Sequence, residues 1–93
     1  MLRIVKMSFD NDRTAGFIDH FNKIKPTIES MPGCMGVKLL KDIAHPNIYF
    51  TYSEWVDENA LNAYRETPFF SETWATVKKW FIDKPEAWSV EQV

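Results

Sequence analysis

The stretch "MGVKLLKDIAHPNIYFTYSEW" (residues 35–55) decides the fold, because it predicts two strands joined by a short loop. Met35, Val37 and Leu39 alternate with other residues, and this period of two is typical of a strand with one apolar face. Residues 47–55 are rich in aromatic and β-branched side chains, which favour strands. The segment "IAHPN" between the two runs is interpreted as a loop. We therefore expect a β-hairpin in the middle of the chain.

The residues before the hairpin predict one strand and one helix. In "LRIVKMSF" (residues 2–9), the side chains of Val5, Met7 and Phe9 point to one face and those of Leu2 and Ile4 to the other. The period then changes to that of a helix from residue 13 to about residue 30. Its apolar face consists of Phe17, Phe21, Ile24 and Ile28. The segment "MPGCMG" ends this helix, because its two glycines permit a sharp turn.

The residues after the hairpin predict a divided helix and a last strand. The segment "VDENALNAYRET" predicts a helix with Asp57 as its N-cap, and Pro68 interrupts it. A second helical piece is expected over residues 69–81, with Phe70, Trp74, Val77 and Phe81 on one stripe. The final "AWSVEQV" predicts a strand with Trp88 and Val90 on one face.

The predicted order is β-α-β-β-α-β, which is typical of a ferredoxin-like α+β fold in one domain, residues 1–93. Helices that follow the first and third strands cover one face of an antiparallel sheet. The other face would be bare, although the first strand is apolar on both sides. We therefore expect a homodimer in which the sheets of two copies stack.

Composition restricts the function classes. The chain has 93 residues, of which 45% are hydrophobic and 15% aromatic, and this apolar excess favours burial against a partner chain. The net charge is −2 without a basic stripe, so nucleic acid is not an expected partner. Cys34 is the single cysteine, and the absence of a signal peptide or of an apolar run of roughly 18 residues predicts a cytoplasmic protein without a membrane span.

Three segments carry a resemblance to a known family: "PGCMG", "YSEWVDENALNAYRETPFF" and "TWATVKKWF…KPEAWSV". They are similar to the corresponding segments of the antibiotic biosynthesis monooxygenase-like family, whose members form dimeric α+β barrels. The resemblance implies one of several activities. Some members oxidise quinol-like polyketides with oxygen and without metal or flavin, others bind and degrade haem, and others isomerise small signalling molecules.

The haem-degrading members rely on three residues that this chain lacks. Their strand asparagine corresponds to about Lys6, their helical tryptophan to Tyr64, and their iron-ligating histidine to residues 74–76, where no histidine occurs. His20 and His45 lie elsewhere in the sequence. We therefore expect no haem, no metal and no other cofactor.

A ligand pocket is expected between the sheet and the helical segment of residues 57–81. Because Pro68 splits this segment, the bent element should pack imperfectly on a twisted sheet and leave a cavity. The residues expected to form the pocket are Tyr52, Tyr64, Phe70 and Trp74, with Arg65 at the mouth. Rings with polar tips suit a small planar ligand.

The residues leave alternatives open. Trp74 is either core or pocket wall, Tyr64 either packs or reaches the cavity with its hydroxyl, and Arg65 is either a ligand contact or a solvated helix residue. No catalytic residue can be assigned. The preferred hypothesis is a cofactor-independent monooxygenase that acts on a small aromatic or quinone-like metabolite. The alternatives are a non-catalytic dimeric module that binds a small apolar ligand, and a haem-handling protein.

Overall fold

The order of helices and strands confirms the predicted α+β arrangement. A computed structural model describes all residues 1–93. Its strands and helices are β1 (Leu2–Ser8), α1 (Thr14–Glu29), β2 (Cys34–Lys41), β3 (Ile48–Trp55), α2 (Glu58–Arg65), α3 (Pro68–Val77) and β4 (Glu86–Val90). Two single-turn 3-10 helices, Asn11–Arg13 and Lys78–Trp80, precede α1 and follow α3. The second helix is therefore divided into α2 and α3, as Pro68 predicts.

The four strands form one antiparallel sheet in the order β2-β3-β1-β4, as expected for a ferredoxin-like fold. Val5 in β1 lies opposite Thr51 in β3 and Ala87 in β4. Because side chains alternate along a strand, these three residues share one face of the sheet. The helices cover this face, which we call the helix-side face, and leave the other face open.

The core is built from aromatic rings between the helix-side face and α1. Phe9 is completely buried, and its ring centroid lies 4.2 Å from that of Phe17 in a stacked arrangement. Tyr49 and Phe81 contact the same ring at centroid distances of 6.0 and 5.3 Å. Phe9 also forms an isolated backbone bridge with Phe81, which ties the end of β1 to the segment after α3. Rings from both halves of the chain therefore meet at Phe9.

The prediction that Met35 shares one face of β2 with Val37 and Leu39 is wrong. A β-bulge lies between Cys34 and Gly36, which pair with Trp55 and Glu54 respectively. The bulge adds one residue to β2 and changes the alternation at that point. Cys34 consequently packs against the core, whereas 61% of the Met35 side chain is exposed.

The turn between α1 and β2 packs directly against the beginning of α2. Gly33 has a φ of +81°, a conformation that favours glycine, and its carbonyl accepts a hydrogen bond of 2.8 Å from the Val56 backbone N–H. A Cβ atom at this position would lie 2.6 Å from the Ala60 Cβ. Glycine is therefore required here for both backbone conformation and space.

None of the three α-helices combines the length and apolar character that a membrane-spanning helix requires.

We expect Gly33→Ala to destabilise the fold. The positive φ alone should lower the free energy of unfolding by about 1–3 kcal/mol, and the clash with α2 adds to this loss. Gly16→Ala is the matched control, since nothing lies within 4 Å of the added Cβ in the first turn of α1. It should stabilise the protein by about 0.4–1 kcal/mol, because alanine restricts the unfolded chain. Urea unfolding measures both, and equal stability of Gly33→Ala and wild type would contradict the prediction.

Candidate functional site

One cavity of about 290 Å³ lies between the helix-side face of the sheet and the helices. Of the 20 residues that line it, 14 are hydrophobic. They come from β1, β2 and β3, from all three helices, and from Pro85 and Ala87 at the beginning of β4. A mostly apolar concavity with a few polar groups is the usual form of a small-molecule site.

The break between α2 and α3 forms one wall of this cavity. The Asp57 carboxylate caps α2 by accepting a 2.8 Å hydrogen bond from the Ala60 N–H. Pro68 has no N–H to donate and begins α3, while the Thr67 hydroxyl accepts from the Phe70 N–H at 3.1 Å and donates to the Tyr64 carbonyl at 2.7 Å. The side chains of Tyr64 and Phe70, on either side of this bend, both reach the cavity.

A continuous series of aromatic contacts runs along the wall. Tyr64 stacks on Trp55 with a centroid distance of 5.2 Å and an interplanar angle of 23°. Tyr64 also contacts Phe70 edge to face at a centroid distance of 5.2 Å. Phe70 in turn stacks on Trp74 at 6.1 Å and 8°. These geometries are those that aromatic pairs prefer. The wall therefore offers ring faces and edges to a planar ligand.

Several polar groups of the wall are already engaged within the protein. The Trp55 indole N–H donates to the Ser53 hydroxyl at 2.9 Å, and the Ser53 hydroxyl donates to the Arg3 carbonyl at 3.4 Å. The Thr73 hydroxyl donates to carbonyl groups of its own helix. The Tyr64 hydroxyl makes no hydrogen bond within the chain. It is therefore available to a bound molecule.

The Tyr64 phenol is held in its neutral form. Burial, followed by the proximity of Cys34, raises the pKa of Tyr64 to about 12. At neutral pH the hydroxyl therefore donates a hydrogen bond and does not act as a base.

Two arginines lie on the same wall. Arg3, in β1, donates from Nη1 to the Ser89 hydroxyl at 3.0 Å, and Arg65 is the last residue of α2. Burial, and secondarily the positive charge of Arg65, lower the pKa of Arg3 from its ordinary value. No aspartate, glutamate or histidine lines the cavity. The wall thus combines positive charge with apolar rings.

The structure brings four of the five predicted pocket residues together: Tyr64, Arg65, Phe70 and Trp74 all line the cavity. The placement of Tyr52 in this wall is wrong. Thr51 and Ser53 line the cavity, whereas Tyr52 between them lies on the open face, opposite Ile4 and Lys38. Adjacent residues of a strand point to opposite faces, so Tyr52 cannot share a cavity with its two neighbours.

Neither Arg3 nor Trp55 was among the residues expected to form the pocket. Arg3 shares the parity of Val5, Met7 and Phe9, so the alternation of β1 already places it on the helix-side face. A charged residue at such a position is the signal that could have found it. Trp55 is only 1% exposed and does pack in the interior, but it also lines the cavity.

Both histidines lie away from the cavity. His45, in the hairpin loop, has its Nδ1 3.3 Å from the Asp42 carboxylate. His20, on α1, packs edge-to-face against Trp80 at 5.9 Å. Nowhere do three or more histidine, cysteine, aspartate or glutamate side chains cluster in a way that could hold a metal ion.

The raised pKa of Tyr64 predicts a loss of stability in alkaline solution. The unfolded chain releases this proton at about pH 10, whereas the folded protein retains it up to about pH 12. The Tyr64 contribution to the free energy of unfolding is therefore complete below pH 10 and decreases between these two values. Urea unfolding at a series of pH values should show a smaller decline for Tyr64→Phe than for wild type. Identical profiles for wild type and Tyr64→Phe would refute the prediction.

Comparisons with known proteins support this fold. A solved structure from Nitrosomonas europaea is 21% identical, covers 92% of this chain and 83% of its own, and has a TM-score of 0.86. One from Bordetella bronchiseptica is 22% identical, covers 99% of this chain and 95% of its own, and has a TM-score of 0.89. One from Caulobacter crescentus CB15 is 16% identical, covers 99% of this chain and 88% of its own, and has a TM-score of 0.91. All three are provisionally named antibiotic biosynthesis monooxygenases. At these identities the likeness shows the fold alone.

The family comparison goes further than the structural one. No curated protein matches the chain. The sequence model of the family described as "Antibiotic biosynthesis monooxygenase" matches residues 1–76, which include the first three strands and nearly all of the three helices. This chain belongs to the antibiotic biosynthesis monooxygenase family.

Proposed function

We propose that this protein is a cofactor-independent monooxygenase that oxidises a small aromatic or quinone-like metabolite in the cavity described above. The observation that carries the proposal is the apolar, aromatic-walled cavity with an unengaged, neutral Tyr64 hydroxyl. The ring series from Trp55 to Trp74 can hold a planar substrate, and the hydroxyl can orient one of its oxygens. Family membership supports the same reaction class.

The chemistry requires a substrate that is easily oxidised. An activated CH2 group next to a phenolic ring loses a proton, and the carbanion reduces O2 and combines with it as a peroxide. Loss of water then leaves a carbonyl, so that CH2 and O2 give C=O and H2O. No carboxylate or imidazole lines the cavity to take the proton, so the substrate itself must be acidic enough to ionise on binding. A largely dry site protects the carbanion from reprotonation.

The absence of a base in the wall also favours the second candidate, a non-catalytic module that binds a small apolar ligand. Both functions require a small ligand to bind in the cavity, but only the monooxygenase consumes oxygen.

A homodimer forms part of the proposal. The open face of the sheet carries apolar residues from all four strands: Leu2, Ile4, Leu40, Phe50, Tyr52, Trp88 and Val90. Trp88 and Leu40 each expose 44% of their surface. Exposed apolar patches of this kind mark interaction sites, and a second copy stacked on this face would bury it.

A cytoplasmic location is also proposed, with the single free Cys34 as its support.

Oxygen uptake tests the proposed reaction. The screen would use anthrone-type phenols with an activated CH2 group. Wild type should consume one O2 for each carbonyl formed. Trp74→Phe and Tyr64→Phe should lower turnover roughly tenfold or more, because each removes a wall contact or the orienting hydrogen bond. Tyr52→Phe, which makes the same chemical change as Tyr64→Phe on the open face, should retain the wild-type rate.

Binding of these phenols to the wild type without oxygen uptake would favour the binding module. Wild-type turnover that neither Trp74→Phe nor Tyr64→Phe affects would place the reaction outside this cavity.

Sedimentation tests the dimer. Wild type should sediment as a dimer at micromolar concentration, with about 2,000 Å² or more buried in total. Trp88→Asp should shift it to the monomer, because it would bury a charge in the sheet-to-sheet contact. Ile43→Asp introduces the same charge at a fully exposed residue of the hairpin loop and should leave the dimer intact. A wild-type protein that sediments as a folded monomer would contradict the proposal.

A further inference from the structure

Arg3 and Arg65 are two positive charges without a negative partner in the wall of an apolar cavity. The ion pairs of the protein are Lys6–Glu86 and Lys23–Asp19, and neither arginine takes part in them. The only side-chain hydrogen bond made by either guanidinium is the one from Arg3 to the uncharged Ser89 hydroxyl. Most donor positions of both groups are therefore unused by the protein.

This arrangement is unfavourable for Arg3 in the absence of a ligand, whereas Arg65 is exposed to solvent. Charges beside apolar surface lose hydration, and two like charges on one wall repel each other. Both effects act on Arg3, which is half-buried and close enough to Arg65 to respond to its charge. A bound anion would offset both. The cavity is thus electrostatically complementary to a negative group.

The hydrogen-bonding groups of the wall point to the same chemistry. A guanidinium donates only, and the neutral Tyr64 hydroxyl, on the residue next to Arg65, is an additional donor. The Ser53 hydroxyl, which could accept, already accepts from the Trp55 indole. The free polar groups near the arginines can therefore all donate, and an oxygen that accepts several hydrogen bonds would satisfy them.

We propose that the ligand of this cavity carries a carboxylate that binds between Arg3 and Arg65, with its aromatic part against Trp55, Tyr64 and Trp74. A carboxylate fits better than a single oxygen, because its two oxygens match the planar fork of a guanidinium. The proposal rests on the proposed function to the extent that both assign the ligand to the same cavity. It names the substrate class as aromatic or quinone-like carboxylic acids.

The test compares two probes of nearly equal shape, 2-naphthoate and the uncharged 2-naphthamide. Binding at pH 7 and low salt would be measured by calorimetry and by quenching of tryptophan fluorescence. Wild type should bind 2-naphthoate at least about tenfold more tightly than 2-naphthamide, since charge-assisted hydrogen bonds are the stronger ones. The preference should decrease with added salt.

Replacing each of the three arginines of the chain, Arg3, Arg13 and Arg65, by methionine identifies which of them cause the preference for 2-naphthoate. Arg3→Met and Arg65→Met should each weaken 2-naphthoate binding about tenfold while changing 2-naphthamide binding less than about threefold. Arg13→Met is the matched control, because Arg13 is exposed and does not line the cavity. Arg3→Lys keeps the charge without the fork and should retain part of the preference. Circular dichroism and thermal unfolding establish that each variant is folded.

The outcomes separate this inference from the proposed function. Equal binding of the two probes, or equal weakening by Arg13→Met and Arg3→Met, would overturn the carboxylate site and leave the cavity as a site for neutral rings. Failure of both probes to bind would overturn the cavity as a ligand site and the inference with it. A preference for 2-naphthoate that depends on Arg3 and Arg65, combined with no oxygen uptake from any phenol, would support the inference and overturn the monooxygenase.

Discussion

The indole of Trp55 lies at the end of β3, where the sheet, the N-terminus and α2 meet. The backbone of Trp55 exchanges hydrogen bonds of 2.8 and 2.9 Å with the backbone of Met1. The indole Nε1 of Trp55 donates a hydrogen bond to the Ser53 hydroxyl. Its face stacks on Tyr64. Burial of this one ring therefore fixes the distance between the sheet and α2, and with it the position of the aromatic wall.

The glycine turn supports the same junction from the other side. Gly33 permits the chain to pass within van der Waals contact of Ala60, and its carbonyl binds the N–H of Val56, the residue directly after Trp55. The Cys34–Gly36 bulge pairs with the end of β3, so Cys34 packs inward close to Tyr64. This explains why "PGC" and "EWVDENAL", which are distant in sequence, belong to one structural unit. Both are required to begin α2 at the correct place.

The cavity exists because the helical layer is divided and the sheet is not. Pro68 ends one helix and begins the next, and Thr67 provides the cap that holds the bend. The rings on either side of the bend contact one another but do not fill the space above Thr51 and Ser53. Two arginines face that space without an acid. This combination is the basis for the proposed site for an anionic aromatic molecule.

The sequence by itself determined the order of elements, because hydrophobic periods of 2 and 3.6 residues are local properties. It also determined the division at Pro68 and the Asp57 cap, which depend on the chemistry of single residues. Four of the five predicted pocket residues lie around the cavity for the same reason, since they flank the break that the proline imposes.

Only the tertiary structure decided which residues share a face across different elements. The register of β1 against β3 assigns Tyr52 to the open face, and a bulge turns Met35 outward. Such assignments depend on strand pairing between distant segments, where a shift of one residue exchanges the two faces. In the sequence, 61 residues lie between Arg3 and Arg65. Their proximity could therefore be known only after the sheet and α2 had been placed together.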